Sequence, residues 1–168
     1  MLFQTPLFQI LLGFTVFLFY FFPHSYRWIL LIVISYLFYS TWKVEYLLLL
    51  LLSTSIDYFC AIGIDTSSRV KRKFLLILSL VANIGILCFF KYQLLLGQTF
   101  NFFSISHLNS QEIFTGFILP VGLSFYTLQS MSYTIDVYRG ERAPERHFGY
   151  FALYVAYFPQ LVAGPIER

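Results

Sequence analysis

Asp57 stands in the run STSIDYFC, Ser53 to Cys60, inside a long apolar stretch. A carboxyl group in hydrocarbon is costly, so it is expected to face protein or water. It is about seven residues, or ~10 Å along a helix, from the polar end of its segment. Asn83 follows Phe74 in the next apolar stretch and lies ~14 Å deep by the same rise. The two could therefore meet. Two chemistries fit such a pair: a structural polar clamp between helices, or a proton or substrate contact. Lys91 is too far along the axis to be a simple partner.

A second set of polar residues falls in LPVGLSFYTLQSMSYTIDVYRGE, Leu119 to Glu141. Pro120 and Gly122 weaken helical regularity there. Ser124, Thr127, Gln129, Ser130 and Ser132 add hydroxyls and an amide, which lipid cannot satisfy, so the segment should be enclosed or line a cavity. Tyr126, Gln129 and Tyr133 share one helical face and, with Ser124, are candidate cavity-lining residues. Helix packing would use such a face equally well. Asp136, Arg139, Glu141, Arg142, Glu145 and Arg146 then read as a solvated loop with local pairs. His24, His107 and His147 stand at segment edges or in a loop, and spacing builds neither a Ser–His–Asp set nor a metal site from them. No P-loop or Gly-x-Gly-x-x-Gly motif is present, and nothing points to nucleic acid. No catalytic residue is assigned on spacing.

These residues need elements to hold them, and composition says which kind. Charged residues are 11% of the 168, against roughly 25% in soluble domains, and hydrophobic residues are 58% with a mean hydropathy of +0.72. A chain of this length cannot hide that much apolar surface in its own core, so a lipid bilayer must cover it. Six apolar segments emerge: Leu7–Phe22, Trp28–Trp42, Tyr46–Ile64, Phe74–Tyr92, Phe114–Tyr133 and Phe148–Val162. The expected fold is all-α, a polytopic transmembrane bundle of about six segments. Several fall short of the ~20 residues of an upright span and must be tilted or partly embedded. Gln93–Ile113 reads as a polar interruption lying along the interface.

Basic residues orient the segments. Putting the Arg69–Lys73 loop in the cytoplasm places Arg27, Arg69, Lys71, Arg72, Lys73, Arg139, Arg142 and Arg146 there, eight of the 11, and leaves Lys43, Lys91 and Arg168 opposite. The N-terminus is then outside. Trp28 and Trp42 bracket the second segment as interfacial anchors. No basic residue precedes Leu7 and no small-x-small site follows Phe22, so the first segment is expected to be kept as an anchor. Cys60 and Cys88 both read as small buried hydrophobes.

Four stretches carry a family resemblance: the opening MLFQTPLF with its aromatic run and Pro23, the run Lys73–Tyr92 ending FFKY, the run LPVGLSFYTLQSMSYTIDVYRGE, and FPQLVAGPIER. Across essentially all 168 residues the chain resembles the N-terminal part of membrane-bound O-acyltransferases of the alginate O-acetyltransferase type. The resemblance implies transfer of an acetyl group from a cytoplasmic donor, acetyl-coenzyme A, to a hydroxyl of an exported polysaccharide. It implies a bacterial inner-membrane location. As partners it implies a periplasmic or extracellular acetyltransferase and polysaccharide export proteins. The family's general base is a histidine downstream of the AGPI-type motif. None of His24, His107 and His147 matches that position. The expectation is an N-terminal part, residues 1–168, that stops before the catalytic histidine and is inactive alone. The residues by themselves also fit a non-enzymatic scaffold or a small permease-like bundle.

Overall fold

Prolines and glycines punctuate the chain, and helices fill the space between them. The structure, a computed structural model, describes residues 6–41, 43–103 and 122–161. Among them the regular elements are α1 (Pro6–Phe21), a 3-10 turn (His24–Tyr26), α2 (Arg27–Ser40), α3 (Val44–Thr66), α4 (Arg69–Phe103), α5 (Leu123–Arg139), α6 (Phe148–Ala156) and the short α7 (Phe158–Leu161). No strand occurs among the described residues.

Pro23 cannot continue α1. Arg27 then turns back on the helix it leaves: its Nε donates to Phe22 O at 3.1 Å, and its guanidinium lies 4.6 Å from the centre of the Phe19 ring. A cation there complements the negative end of the α1 dipole. α5 begins after Gly122, whose φ of +77° favours glycine, and ends before Gly140, whose φ is +80°. Gly140 N–H donates to Val137 O at 3.1 Å and Glu141 N–H to Asp136 O at 3.0 Å, the paired bonds of a Schellman stop.

Three expectations shift. The fifth segment runs through Arg139, so Asp136 and Arg139 belong to the last turns of α5 rather than to a loop; its expected start, 114–121, lies outside the described residues. The fourth begins at Arg69 and continues through Phe103. The basic run is thus the first turn of α4, and part of the expected Gln93–Ile113 loop is helix. No proline interrupts 93–103 and its polar residues are scattered, so an established helix propagates through it. The rest of that stretch, with His107, lies outside the described residues. The sixth segment breaks at Tyr157, because Pro159 has no N–H to give to Val155 O and its ring crowds that carbonyl.

α3 packs most extensively on α4 and α5, and α4 also packs on α5. α2 lies against α3, α6 and α7, with α1 on its outer side. Tyr39, Tyr46, Leu50, Ile64, Tyr126, Tyr133 and Phe151 belong to the main apolar core, while Phe8, Ile34, Phe38 and Phe158 form a smaller one.

The outside is more apolar than the centre requires. Phe59 is 68% exposed, Leu48 65%, Val81 63% and Tyr20 76%, while Ser53, Thr54, Asp57, Ser79, Asn83, Thr127, Gln129, Ser130 and Thr134 are buried. Apolar surface on that scale calls for a partner or a membrane. Two helices, Val44–Thr66 and the Arg69–Tyr92 part of α4, are long and apolar enough to cross a bilayer, and Phe8–Phe21 is apolar but shorter. At 35 residues α4 would run ~52 Å, beyond the ~30 Å hydrocarbon core. Cys88 faces this exterior, contrary to the expectation of burial, while Cys60 is buried.

Loops at one end of the bundle meet. Arg72 Nη2 donates to Tyr138 O at 3.0 Å, Arg146 pairs with Asp65 at 3.6 Å, and Tyr58 OH donates to Arg146 O at 2.5 Å. Trp28 stacks edge-on against His147 at 4.8 Å between ring centres and meets Tyr150 at 5.6 Å, so it is a packing residue between α2 and α6. Trp42 lies outside the described residues. Arg27, Arg69, Lys71, Arg72, Lys73, Arg139, Arg142 and Arg146 thus lie in helix ends and loops of one end, and Lys43 in the α2–α3 turn at the other.

Gly149 allows the Trp28 seat, since a methyl group there would overlap the Trp28 ring. Gly149→Ala should therefore lower the thermal stability of the purified protein by about 1–3 kcal/mol, the usual cost of overpacking. Gly13→Ala, with nothing within 4 Å of the added carbon, should be neutral or slightly stabilising in the same melt. Equal stability of the Gly149→Ala and wild-type proteins would contradict the packing described.

Candidate functional site

Polar atoms at the centre are arranged around Asp57. Ser79 Oγ donates to Asp57 Oδ1 at 2.6 Å, and Asn83 Nδ2 donates to Oδ1 at 2.7 Å and Oδ2 at 2.9 Å. Ser130 of α5 lies beside this carboxyl group, with its own hydroxyl donating to Thr127 O at 3.2 Å. Asn83 Nδ2 further donates to Ser79 O at 3.0 Å, while Asn83 Oδ1 is buried without a hydrogen-bond partner. One carboxyl group on α3 therefore binds two side chains of α4 and has one of α5 beside it. Asp57 and Asn83 meet, as their depths in the sequence suggest. Ser79 and Ser130 were not singled out with them. Ser79 is four residues before Asn83 and so on its face, a readable signal. Ser130 comes from a segment remote in sequence, and nothing local marks it.

Other buried hydroxyls are satisfied within their own helices. Thr54 Oγ1 donates to Leu50 O at 2.7 Å, Thr127 Oγ1 to Leu123 O at 2.7 Å and Thr134 Oγ1 to Ser130 O at 3.1 Å. Such back-bonding lets Ser and Thr enter an apolar bundle without stranded donors.

The face of Tyr126, Gln129 and Tyr133 is buried, and Gln129 and Tyr133 bond backbone groups of the elements beside it. Gln129 Nε2 donates to Tyr154 O at 3.1 Å. That carbonyl belongs to the last turn of α6, where the break before Pro159 leaves acceptors unused. Across the same break Phe158 N–H donates to Ser35 Oγ of α2 at 3.2 Å. Gln129 and Ser35 thus satisfy backbone groups that lipid could not. Tyr133 OH accepts from Glu145 N–H at 2.8 Å, and the Arg142 guanidinium lies over the Tyr133 and Tyr154 rings at 5.6 and 5.7 Å. This pins the charged loop to α5 and α6. Tyr126 is wholly buried in the main core beside Tyr39, and Ser124 is exposed.

The opposite side of α5 is open. Leu128, Met131, Ser132, Ile135, Asp136 and Arg139 line a cavity of about 250 Å³ along it. Their spacing makes one helical stripe with Ser124 at its far end. Periodicity alone singled out the other face, since both sides of α5 carry polar groups and only the neighbouring helices decide which is covered. His24 and His147 are exposed at the basic end and do not line this cavity. Among the described residues no group of three or more His, Cys, Asp and Glu side chains could hold a metal. The end of the second motif, 162–168, lies outside the described residues.

If the Asp57 cluster ties α3, α4 and α5 together, Asp57→Asn should keep most of the stability, because the amide still accepts from Ser79 or Asn83. Asp57→Leu strands both donors and should cost about 1–3 kcal/mol more. Equal melting temperatures for the two variants in detergent would count against the clamp.

Comparison with known proteins adds to this geometry. The chain is 37% identical over 154 residues to a probable alginate O-acetylase AlgI of Pseudomonas aeruginosa, covering 90% of this chain and 29% of that protein. It is 36% identical over 156 residues to the corresponding protein of Azotobacter vinelandii, covering 90% and 31%. It is 35% identical over 199 aligned positions to a peptidoglycan O-acetyltransferase of Helicobacter pylori, covering 99% and 37%. The chain thus spans about a third of the length of the curated relatives it matches. No family model and no solved structure matches it. This similarity to alginate and peptidoglycan O-acetylases runs through nearly all of the chain's residues.

Proposed function

We propose that this chain is part of a membrane O-acetyltransferase and builds one wall of its reaction cavity. The reading rests on the similarity to alginate and peptidoglycan O-acetylases. The observation that carries it is the open stripe of α5. Ser132 and Asp136 are only partly covered there, inside a helix whose other face is fully packed. Lipid would offer Ser132 no partner, and Asp136, less than a turn from the basic end, calls for water or protein, so further protein and a polar cavity belong on that side.

In this reading the bundle has about six membrane segments, with α6 and α7 as a broken, half-embedded pair; nine residues of α6 reach only ~14 Å. The basic end is cytoplasmic and the N-terminus is outside. Acetyl-coenzyme A supplies the acetyl group from the cytoplasm, and a hydroxyl of an exported or cell-wall polysaccharide receives it. A periplasmic or extracellular acetyltransferase and export proteins are the proposed partners, and the bacterial inner membrane is the proposed location. A general base takes the hydroxyl proton as the oxygen attacks the thioester carbonyl, and the thiolate of the donor leaves. His24 and His147 are exposed at the basic end, and the base is assigned, as the family resemblance implies, to a histidine downstream of the AGPI-type motif.

Orientation is checked by labelling in intact cells on a background with Cys60 and Cys88 replaced. Cysteine at Lys43 should react with an impermeant maleimide, and cysteine at Ser68 should not. The reverse pattern would invert the topology. The function is checked in the full-length protein in cells that lack polysaccharide acetylation. Ser132→Leu and Asp136→Leu should each cut acetylated polymer about tenfold or more, the loss of a polar contact of roughly 1.4 kcal/mol or more. Leu48→Ala, on the outer face of α3, should leave it intact. Undiminished acetylation in both stripe variants would remove the stripe from the reaction cavity, and no acetylation by the wild-type protein would overturn the enzyme reading.

A further inference from the structure

The first turn of α4 carries Arg69, Lys71, Arg72 and Lys73 and no acidic residue. The ion pairs among the described residues, Arg139 with Glu141 and Arg146 with Asp65, leave these four cations without a carboxylate partner. The positive end of the helix dipole adds to the same field. Arg72 lies half-buried, bonded to Tyr138 O and 5.7 Å from the centre of the Tyr138 ring, with its Nε buried and without a hydrogen-bond partner. Arg69, Arg72 and Tyr138 line a cavity of about 190 Å³ between the start of α4 and the end of α5.

Charge alone would suit any anion. The flanking side chains narrow the choice. Val70 is 81% exposed and Phe74 64%. Val70, Lys73, Phe74 and Ile77 fall on one face of α4, which continues into the outward-facing Leu78 and Val81. The cations therefore sit where the apolar exterior of α4 ends, at the depth of lipid headgroups if that exterior is in the bilayer. A soluble anion has no use for exposed Val70 and Phe74, whereas a phospholipid uses both, with its phosphate among the cations and its chains along the apolar face.

We propose that the cavity of Arg69, Arg72 and Tyr138, with Lys73 on its lipid side, is a binding site for the phosphate of an anionic phospholipid of the same leaflet. The site rests on the membrane reading given above. It gives the basic turn of α4 a fixed counter-charge and anchors the α4–α5 contact at that end of the bundle.

The test uses the intact full-length protein, purified in detergent and reconstituted into phosphatidylcholine nanodiscs. Dioleoylphosphatidylglycerol is titrated and retained lipid is counted by native mass spectrometry, with dioleoylphosphatidylcholine as the neutral comparison. Phosphatidylglycerol should bind in preference and raise the melting temperature. Arg69→Gln and Lys73→Gln should each weaken its binding about fivefold, the effect of one interfacial charge. Both side chains are exposed, so their loss spares the fold, and Arg72 is left in place because it caps α5. Lys43→Gln, at the other end, should leave the affinity unchanged. Equal retention of the two lipids, or undiminished binding in the Arg69→Gln Lys73→Gln double variant, would overturn the proposal. So would full displacement of the lipid by inorganic phosphate or coenzyme A, which would make this a site for a soluble phosphate. Failure of the protein to enter nanodiscs would overturn the membrane reading instead.

Discussion

Three side chains from two neighbouring helices converge on one carboxyl group of a third, and the bundle is organised around that point. Asp57 lies in α3, Ser79 and Asn83 in α4 and Ser130 in α5, all fully buried. Apolar side chains cannot hold helices together in lipid as they do in water, because lipid tails are equally apolar. Association then rests on close packing and on hydrogen bonds between helices. The Asp57 cluster supplies the second in the place where α3, α4 and α5 pack most extensively. Gly63 supplies part of the first, since it lets α3 approach the Leu75 side chain of α4.

The same rule explains the rest of the polar interior. α6 is broken ahead of Pro159, and a broken helix exposes backbone groups that need partners. Gln129 takes the donor role toward Tyr154 O, and Ser35 accepts from Phe158 N–H. Each belongs to a different helix, α5 and α2, so the break itself becomes a joint between elements. At the basic end Arg27 caps α1 and Arg72 caps α5, which places cations on carbonyls at helix C-termini. The exposed Arg139–Glu141 pair at 3.9 Å adds little beside these.

Sequence carried much of this and missed the rest for identifiable reasons. Asp57 and Asn83 could be paired because helical rise fixes depth, and depth alone brings two antiparallel neighbours level. Ser130 could not be added, since its place depends on how α5 rotates about its axis. The same rotation separates the two faces of α5. Periodicity isolated Tyr126, Gln129 and Tyr133 as one face, yet their packing against α2 and α6 and the opening along Leu128, Ser132 and Asp136 arise from tertiary contacts. Helix ends were legible where a Pro or Gly marked them, as at Pro23. α4 ran past its expected end because no such residue stands between Tyr92 and Phe103.

The central claim is that this fold is polar within and apolar without because a bilayer surrounds it. Spin labels at Leu48, Phe59 and Val81 of the full-length protein in lipid bilayers test it most directly, since all three side chains point outward from α3 and α4. The account predicts strong relaxation by oxygen, which concentrates in hydrocarbon, and negligible relaxation by a water-soluble nickel chelate at all three sites. Ready access of the nickel chelate to these positions would contradict it, because the exterior of α3 and α4 would then face water.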